Sequence, residues 1–445
     1  MRTNASILVG VLWCLALLSV IVIGVLHLAR LDLLVVKNHG DRIQAHYLAL
    51  AGIEKAKALL CQNAREHTRS GRNHSGEYYD APEDFRDVAF GRGQFRVFRH
   101  GREDEGGGVI YGISDEESRL NVNTASAEEL GKLYGMRPDM VAAIIDWRDQ
   151  DDEVTPGGAE ADYYASLQPP YLPRNGPLLT LRELLMVRDV SPDLLFGDDV
   201  SQNGLLDSAD GSGGGLSSRR NGGAVPDAGW SDLLTVDSGV KNLSAAGIER
   251  VNVQEADERS LEAVRGITPE IARAIIASRG QNKLESLADL LEVGAGQAKN
   301  QPGQPRGAPG DPNASGPKVI SQELLMEIAD DVTAGPATQP GLVNINTATL
   351  PVLICLPGMT RELAQAVISY RQSSGYFPNV AWLLKVPGMS REMFKQVARR
   401  VSARSETFRI VSEGKVNSTG ARQRIQVIVH IGLQGAETLS YREDL

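Results

Sequence analysis

Ile7 to Leu26 runs twenty residues without a charge, enough to cross a bilayer as a helix. Positions at spacings of three and four then continue through Ile43, Tyr47, Leu50, Ile53, Lys57 and Leu60, which predicts that the same helix projects onward as an amphipathic stalk. Residues 62–90 are polar, lose this period and read as loop. Phe95–Arg99 and Val109–Ile113 alternate, as do Thr407–Val411, Arg424–Ile431 and Thr438–Arg442. Alternation bounded by glycines and charges predicts antiparallel strands, with the early pair set against the late three. Leu233–Val236 reads as one more short strand. Between the two groups the helical period returns. The pattern is that of an α+β protein: an N-terminal transmembrane and stalk helix, a small antiparallel sheet, and a large helical insertion within it.

The insertion is organised on a repeat. Val343–Arg371 (VNINTATLPVLICLPGMTRELAQAVISYR) reads as an extended segment, a helix, a tight hairpin and a second helix. Thr347 is a candidate N-cap for the first helix and Thr360 for the second. Pro351 fits a first helical turn, and Gly358 can take the left-handed conformation a reversal needs. Leu363, Ala366, Val367 and Tyr370 line one face of the second helix. Asn344, Gly358 and Arg371 stand 14 and 13 residues apart (358 − 344 and 371 − 358). Asn121, Gly135 and Arg148 repeat those intervals, and so do Asn252, Gly266 and Arg279. A Leu-Leu-x-Val run follows each copy, at Leu184–Val187, Leu290–Val293 and Leu383–Val386. Amphipathicity requires none of these matched intervals, so the copies are read as one structural unit repeated at 119–148, 250–293 and 343–388. The unit resembles a helix-hairpin-helix motif.

Composition narrows the function. A chain of 445 residues, 42% hydrophobic, exceeds one typical domain. Net charge of −10 argues against a general polyanion binder. Three cysteines and seven scattered histidines make neither a disulfide scaffold nor a zinc site. No Ser/His/Asp, Cys/His or phosphate-loop constellation supports an enzyme. Two acidic segments carry candidate metal chemistry. GDDVSQNGLLDSAD resembles an EF-hand calcium loop, with oxygen ligands at Asp199, Ser201, Asn203, Asp207 and Asp210 and the carbonyl of Leu205 turned inward. Calcium takes six to eight oxygens, which alternating side chains on a tight loop supply. Ser201 in place of an acid and Asp210 in place of the usual glutamate weaken that match. Asp149, Asp151, Asp152 and Glu160 form a second cluster, in an insertion after Arg148 that reads as an ordered loop built on turns. Residues 211–227 are Gly/Ser-rich and read as a flexible loop. The segment 294–317 is rich in Pro, Gly, Asn and Gln and is expected to be a disordered linker.

An apolar helix that continues as a stalk is similar to the first helix of type IV pilins and pseudopilins. Arg2 before it marks the side that stays cytoplasmic. A secretory signal peptide would need a shorter apolar core with a small-x-small cleavage site close behind it. In the pilin family a short leader is cut just before the apolar run, here between Ala5 and Ser6. Most members carry glutamate at the fifth mature position; here that position is Gly10, a departure known for the tip subunit. The stretches ASILVGVLWCLALLSV, ALAGIEKA, SDEESRLNVNTA, DWRDQDDE and ELLMVRDVSPDLLFG resemble the minor pseudopilin K family of type II secretion over nearly the whole chain. That resemblance implies four segments. Residues 1–28 are leader and transmembrane helix, 29–115 the stalk and first strands, 116–404 the inserted helical domain, and 405–445 the closing strands. It implies bound calcium, processing by prepilin peptidase, and an inner-membrane anchor with the bulk of the chain in the periplasm. It also implies a place at the tip of the pseudopilus with minor pseudopilins I and J and other pseudopilus subunits. The alternative is a membrane-anchored helix-hairpin-helix DNA receptor, favoured by a basic helix carrying Arg391, Lys395, Arg399, Arg400 and Arg404. The acidic balance and the non-basic hairpin Gly266–Pro269 disfavour it, and nucleic acid is not an expected partner.

Overall fold

The computed structural model describes residues 3–73, 76–101, 105, 107–199, 229–294, 318–432 and 434–443. Helix α1 runs unbroken from Thr3 to Ser70. It therefore absorbs the start of the segment expected to be loop. Gln62 Nε2 donates to Glu66 one turn on (2.9 Å), and Cys61 and Ala64 still pack on the sheet, so the helix has both local and tertiary support there. The face that packs is also displaced from the expected one. Ala45, Ala49, Ile53, Ala56 and Leu60 are buried, whereas Ile43 and Tyr47 are 45% and 64% exposed. Small residues, not the largest ones, set the close approach.

That approach is to an antiparallel sheet. Its strands are β1 (Val88–Phe90), β2 (Gly93–His100), β3 (Val109–Ile110), β4 (Ser114–Asp115), β5 (Thr407–Val416), β6 (Arg422–Gly432) and β7 (Gly435–Arg442). The order is β1-β2-β5-β6-β7, with β3 paired to β2 and β4 to β5. Early and late strands meet as the alternation predicted: Val97 lies opposite Ser412 on β5, and Ile410 opposite Val427 on β6. Val97, Ile410, Ile425, Val427 and Val429 turn to α1 and bury Ala49 and Ile53 with Phe85. Gly414 lies under the helix. A Cβ there would sit 2.6 Å from Ala49 N and collide with Ala45 O, so only glycine fits.

Residues 120–403 build a second apolar core. It holds three units, each closed by a two-residue parallel pairing: Leu120–Asn121 with Leu234–Thr235, Val251–Asn252 with Val332–Thr333, and Val343–Asn344 with Val401–Ser402. The repeated spacing has a hydrogen-bonding cause. Asn121, Asn252 and Asn344 each accept from the backbone N–H two residues on. Arg148, Arg279 and Arg371 reach back to the carbonyls of Val122, Val253 and Ile345. The second helix is thus tied to the extended segment that opens the unit, and these otherwise unpaired carbonyls are satisfied. The hairpin glycines Gly135, Gly266 and Gly358 have φ of +75°, +96° and +69°, as such reversals require.

Each unit also contains a second hairpin. The Leu-Leu-x-Val runs lie in 3₁₀ turns. Ser191, Ser321 and Ser390 then cap the short helices Pro192–Phe196, Gln322–Ile328 and Arg391–Val397. In the middle unit Val319 N–H donates to Val293 O (3.0 Å), so the expected linker is inserted into the turn of that hairpin. All of it but Gly294 lies outside the described residues. Two expectations need correction. Thr347 is not the cap: the helix begins after Thr349, and the Thr347 hydroxyl bonds Asp115 instead. The basic helix ends at Val397, because Val401 and Ser402 are drawn into the closing strand pair, so Arg399, Arg400 and Arg404 lie beyond it.

Candidate metal centre

Three carboxylates meet where the first unit's second helix ends. Asp146 lies in the last turn of the helix Pro138–Arg148, Asp149 is its C-cap, and Glu160 is the N-cap of Ala161–Ala165. One oxygen of each lies within 4.8 Å of the others. Asp146 and Glu160 are buried. Thr155 N–H donates to both oxygens of Asp146 (3.2 and 3.3 Å). Both oxygens of Glu160 and Oδ1 of Asp149 are buried without a hydrogen-bond partner. Burial, then the charges of Asp146, Asp149, Asp152 and Asp151, push the Glu160 carboxyl up to about 7. Burial and the charges of Asp151 and Asp146 raise Asp149 as well. Buried carboxylate oxygens left without donors are costly. A hard divalent cation that prefers oxygen ligands relieves both the desolvation and the mutual repulsion, so this donor set fits calcium.

Of the four acids expected here, the structure brings Asp149 and Glu160 together and leaves Asp151 and Asp152 outside the group. Both are exposed. Asp151 Oδ1 accepts from Glu153 N, and Asp152 Oδ1 from Asn175 Nδ2. The sequence reading missed Asp146. The available signal was its place one helical turn before Asp149, which sets both on one side of the helix end. Of the EF-hand-like loop, Asp199 is described and buried, with its N–H on Phe196 O (3.0 Å). Ser201, Asn203, Leu205, Asp207 and Asp210 lie outside the described residues, as do the side chains of Ala5 and Ser6.

Four of the five basic residues expected on the basic helix of the third unit are engaged within the fold. Lys395 Nζ lies 2.7 Å from Asp289, Arg399 2.5 Å from Glu285 and Arg400 2.7 Å from Glu129. Arg404 pairs with Glu406.

At the N-terminus, α1 is the one helix among the described residues that is long and apolar enough to cross a membrane. Its apolar part fits a single-pass anchor.

Two family models match parts of the chain. Residues 339–402 match the family model of the helix-hairpin-helix motif, which spans the third unit. Among curated proteins, a rat endonuclease/exonuclease/phosphatase family domain-containing protein 1 is 29% identical over 160 residues, 35% of this chain and 28% of that protein. An uncharacterized protein of Neisseria meningitidis serogroup A is 25% identical over 169 residues, 36% of this chain and 20% of that protein. Protein YhgF of Escherichia coli K12 is 35% identical over 79 residues, 18% of this chain and 10% of that protein. The chain thus spans between a tenth and little more than a quarter of the length of these curated relatives. Among solved structures, one chain of the GspK-GspI-GspJ complex from the enterotoxigenic Escherichia coli type 2 secretion system aligns with 14% identity and a TM-score of 0.44. The alignment covers 90% of this chain and 97% of that one. Residues 114–196, from β4 through the three-carboxylate cluster, match the family model of type II secretion system protein K. By that match, residues 114–196 are similar to the first domain of type II secretion system protein K.

Proposed function

We propose that this chain is a minor pseudopilin seated at the tip of the type II secretion pseudopilus, where it initiates or caps assembly for protein export. The observation that carries the reading is one continuous helix that is apolar at its N-terminal end and packs against a sheet at the other. The three-unit helical head enters and leaves that sheet through β4 and β5. A head of this bulk on a filament-forming stem blocks a further subunit above it. Gly10 fits the same place, since a tip subunit has no N-terminus ahead of it to pair with a carboxylate. In this reading α1 is anchored in the inner membrane and the head lies in the periplasm. Prepilin peptidase cuts between Ala5 and Ser6, and the partners are minor pseudopilins I and J. The role is assembly, not catalysis. A DNA receptor draws little support, because Lys395, Arg399, Arg400 and Arg404 are taken by Asp289, Glu285, Glu129 and Glu406. The test is copurification of the chain from about residue 29 onward with candidate minor pseudopilins. A stable complex is expected, and recovery of the fragment alone from every pairing, with DNA bound instead, would overturn the reading.

Calcium belongs to the same proposal. Asp146, Asp149 and Glu160 would hold it, and it would supply the positive charge that this cluster of acids lacks. A ligand bound only to the folded state stabilises by RT ln(1 + [L]/Kd), about 2.7 kcal/mol at a hundredfold excess over Kd. Calcium is expected to raise Tm in the parent and not in Glu160→Gln. Equal Tm for the parent in calcium and in chelator would remove the ion from this site.

A further inference from the structure

Between the two cores the chain passes twice, inward through residues 114–120 and outward through residues 402–409. Both passages meet at three consecutive buried acids, Asp115, Glu116 and Glu117. Their surroundings differ. Glu116 is neutralised, with Arg119 at 2.8 Å and Arg409 at 2.5 Å, and its carboxyl is held low despite burial. Asp115 and Glu117 have no cation within ion-pair reach among the described residues and rely on neutral donors. Asp115 Oδ2 accepts from Ser405 Oγ (2.6 Å), Asn344 Nδ2 (3.1 Å) and Thr347 Oγ1, while its Oδ1 accepts from Glu117 N (2.9 Å). Glu117 Oε2 accepts from Thr407 N (3.1 Å) and its Oε1 from Gly239 N (3.4 Å). These two acids therefore bind the entering strand, the leaving strand, the third unit and the segment after the first unit into one knot.

We propose that Asp115 and Glu117 share a proton, and that this proton latches the two-strand joint between the sheet and the helical head. Two adjacent carboxylates without a cation cannot both ionise in a buried site. A proton between them turns repulsion into a hydrogen bond. The remaining charges around the knot do not supply that compensation. On its own segment, Glu116 and Arg119 are paired. From β5 and its approach come Arg409, taken by Glu116, and Glu406, held by Arg404 with His430 at 3.8 Å. The segment 229–241 contributes Asp232, paired with Arg119, and Asp237. From β2, His100 acts on Asp232. From residues 343–347 the donors are neutral. A cavity of about 50 Å³ lined by Asp115, Thr347, Ser405, Tyr78 and Glu77 reaches the Asp115 side of the pair and is large enough for water. Burial and then the Asp115 charge raise the Glu117 carboxyl well above its ordinary value, the direction the geometry requires. Stability from a carboxyl raised in the folded state is complete below the ordinary glutamate range. It is lost as pH rises through the folded value. The joint is therefore tight at low pH and loosens as pH rises.

The test uses the full chain in detergent. Hydrogen exchange at the Thr407 and Gly239 amides, corrected for intrinsic pH dependence, is followed with Tm from pH 5 to 9. In the parent, protection is expected to fall roughly tenfold per pH unit once the proton is lost, and Tm to fall with it. Glu117→Gln keeps the shape and the donor without an ionisable proton, so its protection and Tm should stay flat over the same range. A protonated-carboxyl infrared band present in the parent and absent from Glu117→Gln would identify the carrier. Flat protection in the parent, or the same slope in parent and Glu117→Gln, would overturn the latch. If Glu117→Gln fails to fold, Asp115→Asn decides the matter: it removes the like charge, so the loss of protection should move to lower pH, and an unmoved profile would overturn the shared proton.

Discussion

Asn344 does three things with one side chain. Its Oδ1 accepts from Asn346 N (3.0 Å), and its Nδ2 donates to Ser405 Oγ (2.7 Å) and Asp115 Oδ2 (3.1 Å); Asn344, Asn346 and Asp115 are buried. Asn121 is tied outward in the same way, to Ser238 Oγ (2.9 Å) and Val236 O (3.4 Å), whereas Asn252 has only the local side-chain bond among those described. Asn344→Ala leaves several buried polar groups unpaired, at about 1–3 kcal/mol each. Asn252→Ala should therefore be the milder change. Chemical denaturation of both variants checks this, and equal losses would mean the interdomain bonds add nothing. The spacing of these asparagines and arginines was visible in the sequence because a repeat prints the same backbone requirement three times. The helical spacing of Asp146 and Asp149 was there to read, but nothing in it says that Glu160, fourteen residues beyond Asp146, folds back onto them. Thr347 was misassigned for a related reason. A threonine after an asparagine looks like a local cap, and its real partner, Asp115, lies 232 residues away in sequence.

At the scale of elements, period proved easier to read than face or length. The strands at 95–99 and 407–442 followed from alternation, and so did the pairing of β2 with β5, but the second early strand is only Val109–Ile110 and pairs with β2 instead of a late strand. The stalk's period also held, but its buried side is a stripe of alanines (Ala45, Ala49, Ala56) that a search for large apolar residues passes over. The second hairpin of each unit was hidden as well. Its serine caps follow the Leu-Leu-x-Val runs directly at Ser191 and Ser390, but in the middle unit a long insertion separates Val293 from Ser321 and breaks the interval. The tight crossing of α1 over β5 gives the element-scale prediction. Gly414→Ala puts a methyl group against the backbone of Ala45 and Ala49, which cannot rotate away. Overpacking of this kind costs about 1–3 kcal/mol. Gly131→Ala is the control: it lies in a helix with open space around its Cα, where alanine is the better helix former by up to about 1 kcal/mol. Thermal melts of the two variants should move in opposite directions.

For the whole molecule, the decisive contrast is between the two ends of α1. Its far end is buried in the sheet, whereas the residues from Leu8 to Val36 present large apolar side chains outward, Trp13 and Val20 among them. That surface is complete only in a bilayer or against other helices of the same kind. Gly10 lies within it, with nothing within 4 Å of where a Cβ would stand, so the chain itself leaves room for a larger residue. A carboxylate there would have to be carried in the membrane, at about 2.5–3.5 kcal/mol on insertion scales unless it is paired. Inside a filament, a positively charged N-terminus of the neighbouring subunit can supply the pair. At a tip no such subunit exists. On the proposed tip placement, Gly10→Glu is expected to leave pseudopilus assembly and secretion unimproved or reduced, while Gly10→Ala behaves as the parent because the space is open. Secretion assayed beside pseudopilus length in cells carrying each variant makes the comparison. More pseudopilus from Gly10→Glu than from the parent, with the protein spread along it, would place this chain within the filament and not at its end.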